Sequence, residues 1–266
     1  RLGERGELAC CFNPDTLAVE AVWTGGFLAF APHRHGFLAP ATPVGRLLEP
    51  PAATPPAGPV EYHGFYRHGP RVVFSYSVSG TAMLDAPWAE GGRLVREVGP
   101  AVSHSLAHVT RGGPSQWPQV LTTTGTLGGG APYAVDTVTP PFDNPWRSLL
   151  FFGGHDFFSD GSAAICTMQG DVWRVDGLDA TLRSIRWRRI AAGLNKPLGL
   201  VIVADVPHVV CGDQITRLVD ANGDGETDFH ECVSRAFEPS TGHNFTCGLE
   251  RDETGAFFTA SHQGLL

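Results

Sequence analysis

The chain has 266 residues, 33 of them Gly and 21 Pro, with 17% charged residues and a formal net charge of -8. That length can bury a sizeable core and hold one or two domains, and the negative balance argues against a nucleic-acid partner. No apolar run approaches membrane-spanning length, and no long stretch has helical periodicity, so an all-β protein with many turns is expected.

Asp15 to Trp23 alternates and reads as a strand with Leu17, Val19, Ala21 and Trp23 inward. Pro40 to Pro59 is rich in Pro and Ala and reads as a long extended loop. Arg71 to Val78, entered through a His68-Gly69-Pro70 turn, reads as a second strand and Gly92 to Val98 as a third. Residues 1–110 are expected to form a β-sandwich-like domain. Residues 111–145 carry Gly128-Gly129-Gly130 and Pro140-Pro141 and read as an interdomain linker or an irregular excursion. The basic run Arg183 to Arg189 alternates with apolar residues and reads as a strand with a solvated face.

From about residue 146 the texture repeats. Phe158 to Val175, Leu198 to Leu218 and Cys247 to Leu266 each start apolar, turn, run through a short apolar strand, break at a polar or Gly residue and resume. The spacing of about 40 to 50 residues is that of propeller blades, which cannot bury both faces alone. Residues 146–266 are therefore expected to be an incomplete β-propeller of two to three blades. The chain starts at Arg1 without Met or a signal peptide and stops at Leu266 inside a strand-like run. A fragment of a longer or processed protein is expected, with the rest of the ring beyond Leu266.

The sharpest local signal is Asp220-Ala-Asn222-Gly-Asp224-Gly225-Glu226-Thr-Asp228-Phe-His-Glu231. It carries the ligand pattern of a twelve-residue calcium loop: side-chain oxygens from Asp220, Asn222, Asp224, Asp228 and Glu231, a backbone carbonyl from Glu226, and Gly225 at the sharp turn. The preceding Gln214 to Val219 alternates like a strand, so the loop is expected to join sheet elements and hold Ca2+ structurally. The same residues also suit a metal-free acidic turn.

Other polar side chains fit blander roles. Vicinal Cys10 and Cys11 are poorly placed to bridge each other, and Cys166 and Cys211 sit in apolar runs as small buried hydrophobes. Cys232 and Cys247 leave a bridge open, and without a C-x-x-C-H no c-type haem is attached within this chain. His155 with Asp156 either lines a central channel or ties strand ends together. His33, His35, His63 and His68 lack a third ligand at metal spacing, and His104 and His108 lack the Glu of a zinc-protease motif.

Gly170-Asp-Val-Trp173-Arg-Val175, Leu194-Asn-Lys-Pro197-Leu-Gly-Leu200, Asp213-Gln-Ile-Thr-Arg217-Leu218 and the 220–229 loop resemble the propeller of bacterial quinoprotein glucose/sorbosone dehydrogenase-like proteins. The likeness is to the large planctomycete-type versions, often fused to a c-type haem domain. Phe65 to Tyr76 resembles the uncharacterised all-β domain preceding that propeller. The resemblance implies a periplasmic or secreted protein. His243 to Gly264 is similar to the segment bearing the family's catalytic base, which falls on His243. A neutral imidazole there can accept a sugar hydroxyl proton as hydride passes to pyrroloquinoline quinone (PQQ). The orienting carboxylate of that family falls on His262, a departure that weakens the base's support.

Two functions follow as expectations. One is oxidation of a sugar or alcohol, with His243 as base, PQQ as acceptor and electrons leaving to a haem domain. The other is a non-catalytic module, stabilised by Ca2+, that binds a glycan or protein; a structural scaffold is the blandest variant.

Overall fold

The structure is a computed structural model and describes residues 1–29, 31–32, 41–239, 245–261 and 264–266. It is all-β, as the composition implies, with a single short helix among the described residues.

Two sheets open the chain. β1 (Leu8–Asn13) and β2 (Ala18–Thr24) pair antiparallel; a short ribbon, β3 (Leu28–Ala29) with β4 (Thr42–Pro43), leads to β5 (Arg46–Leu48) on the edge of β2. The ladder of β1 and β2 slips at Cys11/Phe12. The extra residue, Glu20, breaks the expected alternation, so Val19 and Val22, three apart, share the inner face. Leu17, expected inward on the strand, instead sits in the preceding turn with φ 57.

A meander follows: β6 (Val60–His68), β7 (Arg71–Val78), β8 (Thr81–Glu90) and β9 (Arg93–Gly99). Its Ala89 and Leu94 pack on Leu8, Val19 and Val22, giving two sheets face to face. A 3-10 turn (His104–Leu106) and α1 (Ala107–Thr110) place Leu106 and Val109 over Val73 and Ala86.

Residues 111–145, expected as a linker or an irregular excursion, cover a sheet. β10 (Val120–Thr123) adds an edge strand to the sheet of residues 152–191, and β11 (Gly125–Thr126) pairs with β12 (Thr137–Val138). Leu121, Val138 and Trp146 close over a core of Leu150, Trp173, Val175, Ile185 and Trp187.

Three antiparallel meanders complete the chain. The first comprises β13 (Phe152–Phe157), β14 (Ala163–Thr167), β15 (Val172–Asp176) and β16 (Ile185–Ala191). The second comprises β17 (Gly199–Val203), β18 (Val206–Val210), β19 (Ile215–Val219) and β20 (Phe229–Ser234). The third comprises β21 (Cys247–Arg251), β22 (Phe257–Ser261) and β23 (Gly264–Leu265). Their first strands begin 47 and 48 residues apart.

Strands buried on both faces explain the apolar runs. On β14 and β15, Ala164, Cys166 and Val172 face the second meander, while Ala163, Trp173 and Val175 face the 121–150 cover. The second meander meets the third through Val210, Ile215 and Leu249.

The first strands of the three meanders lie side by side. Glycine permits that approach: a Cβ on Gly154 would stand 2.5 Å from the Leu200 nitrogen, and one on Gly199 would stand 2.4 Å from the Gly248 carbonyl carbon. Gly199→Ala is therefore expected to destabilise the fold by about 1–3 kcal/mol through overpacking. Gly129→Ala, where an added Cβ meets nothing within 4 Å, should stay within about 0.5 kcal/mol. Urea unfolding midpoints of the two variants check this pair.

Candidate functional site

The two expected domains share one eight-stranded sheet, because β20 of the second meander pairs with β6 of the N-terminal meander. The seam aligns Phe229 with Tyr66, His230 with Phe65 and Glu231 with Gly64. Rings stack across it, at 4.5 Å for Phe65 on His230 and 4.3 Å for Tyr66 on Phe229. Gly64, at φ 127, is required there, since a Cβ would lie 2.1 Å from the His230 carbonyl oxygen.

The loop from Asp220 to Asp228 enters this seam as a tight turn. Asp220 accepts the amides of Gly223 and Gly225 on its two oxygens, both at 2.7 Å. Asn222 Oδ1 accepts Asp224 N–H at 3.0 Å, Asp224 Oδ1 accepts Glu226 N–H at 2.9 Å and Asp228 Oδ2 accepts Ala221 N–H at 2.9 Å. Gly223 and Gly225 have φ 77 and 83, which a Cβ would strain.

The loop also binds its surroundings. Asn222 Nδ2 donates to the Gly113 carbonyl at 2.7 Å. The Glu226 carboxylate, 3% exposed, accepts the Ser115 hydroxyl and the amides of Gln116, at 2.8 Å, and Trp117. Gln116 in turn accepts Gly69 N–H at 2.6 Å. Thr227 N–H donates to the Ile190 carbonyl at 2.8 Å, Arg188 donates to the Asp224 carbonyl, and Arg67 N–H donates to the Asp228 carbonyl at 3.0 Å. One turn thus joins the N-terminal sheet, the 112–117 segment and the first two meanders.

One member of the expected twelve-residue ligand set, Glu231, stands away from the loop, whereas Glu226 is assigned only through its backbone carbonyl. Val219 and Phe229 already pair as strands, so the chain resumes its ladder three residues after Glu226. Glu231 is carried up that ladder opposite Arg217 and forms an ion pair with it, Nε–Oε2 2.5 Å. A helix at this point would have folded it back over the loop. The Glu226 carboxylate is committed to residues 115–117. Among the described residues, no group of three or more His, Cys, Asp or Glu side chains stands in metal-holding geometry.

The remaining donors, Asp220, Asn222, Asp224 and Asp228, offer only oxygen and so fit a hard divalent cation. Burial holds the Asp228 carboxyl above the usual carboxylate range, offset by its Ala221 hydrogen bond and reinforced by the Asp224 and Asp220 charges. Three acidic groups therefore repel one another at this turn.

His243, expected as the base, and His262, at the position of the family's orienting carboxylate, lie outside the described residues, as do His33 and His35. Asp156 takes the plain role, accepting the Ile202 amide at 2.7 Å and tying β13 to β17, while His155 meets Phe157 edge-on. His68 bonds the Pro114 carbonyl at 3.0 Å and meets His108 edge-on. All six cysteines are unbridged, and burial pushes the Cys166 thiol up to about 11.

Sequence reading missed His230, which is 2% exposed. Burial, then the nearby Arg67 charge, push its imidazole down to about 3, while the Ala192 carbonyl, already taken by Arg67 Nη1 at 3.0 Å, pulls weakly the other way. The unfolded imidazole titrates near 6.5, so its neutral burial stabilises fully above that pH and less as pH falls toward about 3. Unfolding free energy should drop by about 1.4 kcal/mol per pH unit on this limb from this group. His230→Phe, which keeps the stack on Phe65, should flatten it in urea titrations at several pH values.

Glu226→Gln leaves the shape but removes the charge that holds three donors. We expect a loss of about 1–3 kcal/mol and faster proteolysis within residues 111–145. Midpoints and cleavage-site mapping read both effects.

Residues 10–85 match the model of a domain of unknown function (DUF6797). No curated protein matches the chain. The family match spans β1 to β8 and part of the sheet seam at Phe65 and Tyr66, while the loop and the three meanders lie outside it.

Proposed function

We propose that the chain is a ligand-binding β-propeller platform, with three blades docked on an N-terminal sheet and a Ca2+ ion stapling the junction. The observation that carries this reading is the 220–228 turn, which meets four parts of the chain while concentrating oxygen donors. The three meanders are the blades, supported by their even spacing and glycine-lined inner strands. Asp220, Asn222, Asp224 and Asp228, with the Glu226 carbonyl, would hold the ion, whose positive charge would relieve the repulsion among the carboxylates. Glu231 belongs to the sheet.

Calorimetry should detect one Ca2+ site, lost in Asp224→Ala and kept in Glu231→Ala. Chelator should lower Tm, since a ligand at about 100 times its Kd stabilises by about 2.7 kcal/mol. A flat titration of folded protein refutes the staple.

The second reading is favoured by the likeness of residues 146–266 to quinoprotein dehydrogenases. On that reading the protein would be periplasmic or secreted and act on a sugar or alcohol, with His243 as the proton acceptor; bound PQQ would supply the hydride-accepting chemistry and a c-type haem domain would take the electrons. Protein loaded with PQQ and Ca2+ should then reduce a dye with aldoses and lose that activity in His243→Ala. Silence across an aldose panel removes this reading and leaves the platform.

A further inference from the structure

β9 (Arg93–Gly99) closes one end of the eight-stranded sheet and is the longest edge strand among the described residues, seven residues paired to β8 without a break. β1 and β13, the next longest edges at six residues, are each interrupted by a shift of register. An edge strand offers its N–H and C=O groups to another chain unless Pro, Lys, a bulge or an inward-pointing charge blunts it. β9 has no Pro, Lys or bulge, and its inward charge, Arg96, is already paired with the buried Asp85.

The register shows which backbone groups are free. Arg96 stands opposite Pro87, which has no N–H, so this pair is of the kind that exchanges no backbone bonds. The two kinds of pair alternate along an antiparallel ladder. Val95 and Glu97 therefore bond to β8, while Leu94 and Arg96 turn their N–H and C=O groups outward.

The side chains sort by face. Leu94 packs on the β1–β2 sheet, and Arg96 reaches Asp85 on that same face. Arg93, Val95 and Glu97 share the opposite face with Trp88, which stands across from Val95 with the Arg71 guanidinium 3.3 Å over its ring. Val95 is 39% exposed. Neither Arg93 nor Glu97 forms an ion pair among the described residues; Glu97 accepts only Ser103 N–H. Four positions along a strand separate them by about 13 Å, so they cannot meet each other.

We propose that two copies of this chain pair antiparallel through β9, with Val95 on the twofold axis. Because side chains alternate, an axis perpendicular to the sheet must pass through a residue position. Centring on Leu94 sets Arg93 against the partner's Val95, centring on Arg96 sets Arg93 against the partner's Gly99, and centring on Glu97 sets carboxylate against carboxylate. Centring on Val95 alone brings Arg93 to Glu97 of the partner subunit and Glu97 to the partner's Arg93. These fall at non-bonded pairs, where side chains stand closest, while the outward groups of Leu94 and Arg96 exchange backbone bonds across the axis. The pairing goes beyond the platform reading and needs neither Ca2+ nor PQQ.

Sedimentation velocity of the full chain over a concentration series tests this. Monomer should give way to dimer with a Kd on the order of 10 µM, as a small interface provides. Val95→Lys should stay monomeric. Arg93→Glu and Glu97→Arg should each weaken the dimer about tenfold or more, since either sets like charges face to face, and the double variant should regain the parental strength by exchanging the pairs. Circular dichroism and melting confirm the fold of each variant. Hydrogen exchange gives a local readout: the Leu94 and Arg96 amides should slow as concentration rises, while those of Val95 and Glu97 stay constant. A chain still monomeric at about 1 mM overturns the proposal. So does a dimer that survives Val95→Lys, a double variant no tighter than the single ones, or exchange at Leu94 and Arg96 that ignores concentration.

Discussion

The Glu226 carboxylate is the contact on which the assembly turns. Buried and saturated by three donors from residues 115–117, it fixes the segment between the N-terminal sheet and the first meander. A buried carboxylate is tolerated only when its lone pairs are filled, and here the filling is what holds a long, Gly- and Pro-rich stretch in place. That stretch supplies Leu121, Val138 and Trp146 to the far face of the first meander, so a polar contact governs where an apolar core can form. The same turn bonds Ile190, Arg67 and Gly113, and the seam between β20 and β6 continues from it.

Around this junction the sheets obey simple packing rules. The first meander is apolar on both faces because one meets the second meander and the other meets the 121–150 cover. The inner strands come close because Gly153, Gly154 and Gly199 leave no Cβ between them. Charge is managed by pairing: Arg189 with Asp171 beneath Trp117 and Trp146, and Arg217 with Glu231 on neighbouring strands.

Much of this was legible in the sequence. Two-residue alternation and the spacing of the apolar runs located the meanders, and Arg71 to Val78 is a strand with the expected bounds. The Asp-x-Asn-x-Asp-Gly pattern correctly marked a turn between strands. Legibility ended where partners lie far apart in sequence. Nothing near Glu226 indicates that its carboxylate reaches residues 115–117, more than a hundred positions earlier, and the ligand pattern itself hid that the strand after the turn carries Glu231 away to Arg217. Glu20 bulges out of its ladder because β1 sets the register, which alternation within β2 alone cannot reveal. Residues 111–145 read as either a linker or an irregular excursion because Gly and Pro mask the few apolar residues that pin them down.

Native-state hydrogen exchange tests the central claim most directly. The amides of Gln116 and Trp117, of Arg67 in β6 and of Thr227 at the turn are bonded through the same junction. If the junction opens as one unit, these four amides share a common opening free energy and the same denaturant dependence. Fast, independent exchange at Gln116 and Trp117, with Arg67 and Thr227 still protected, would contradict the account.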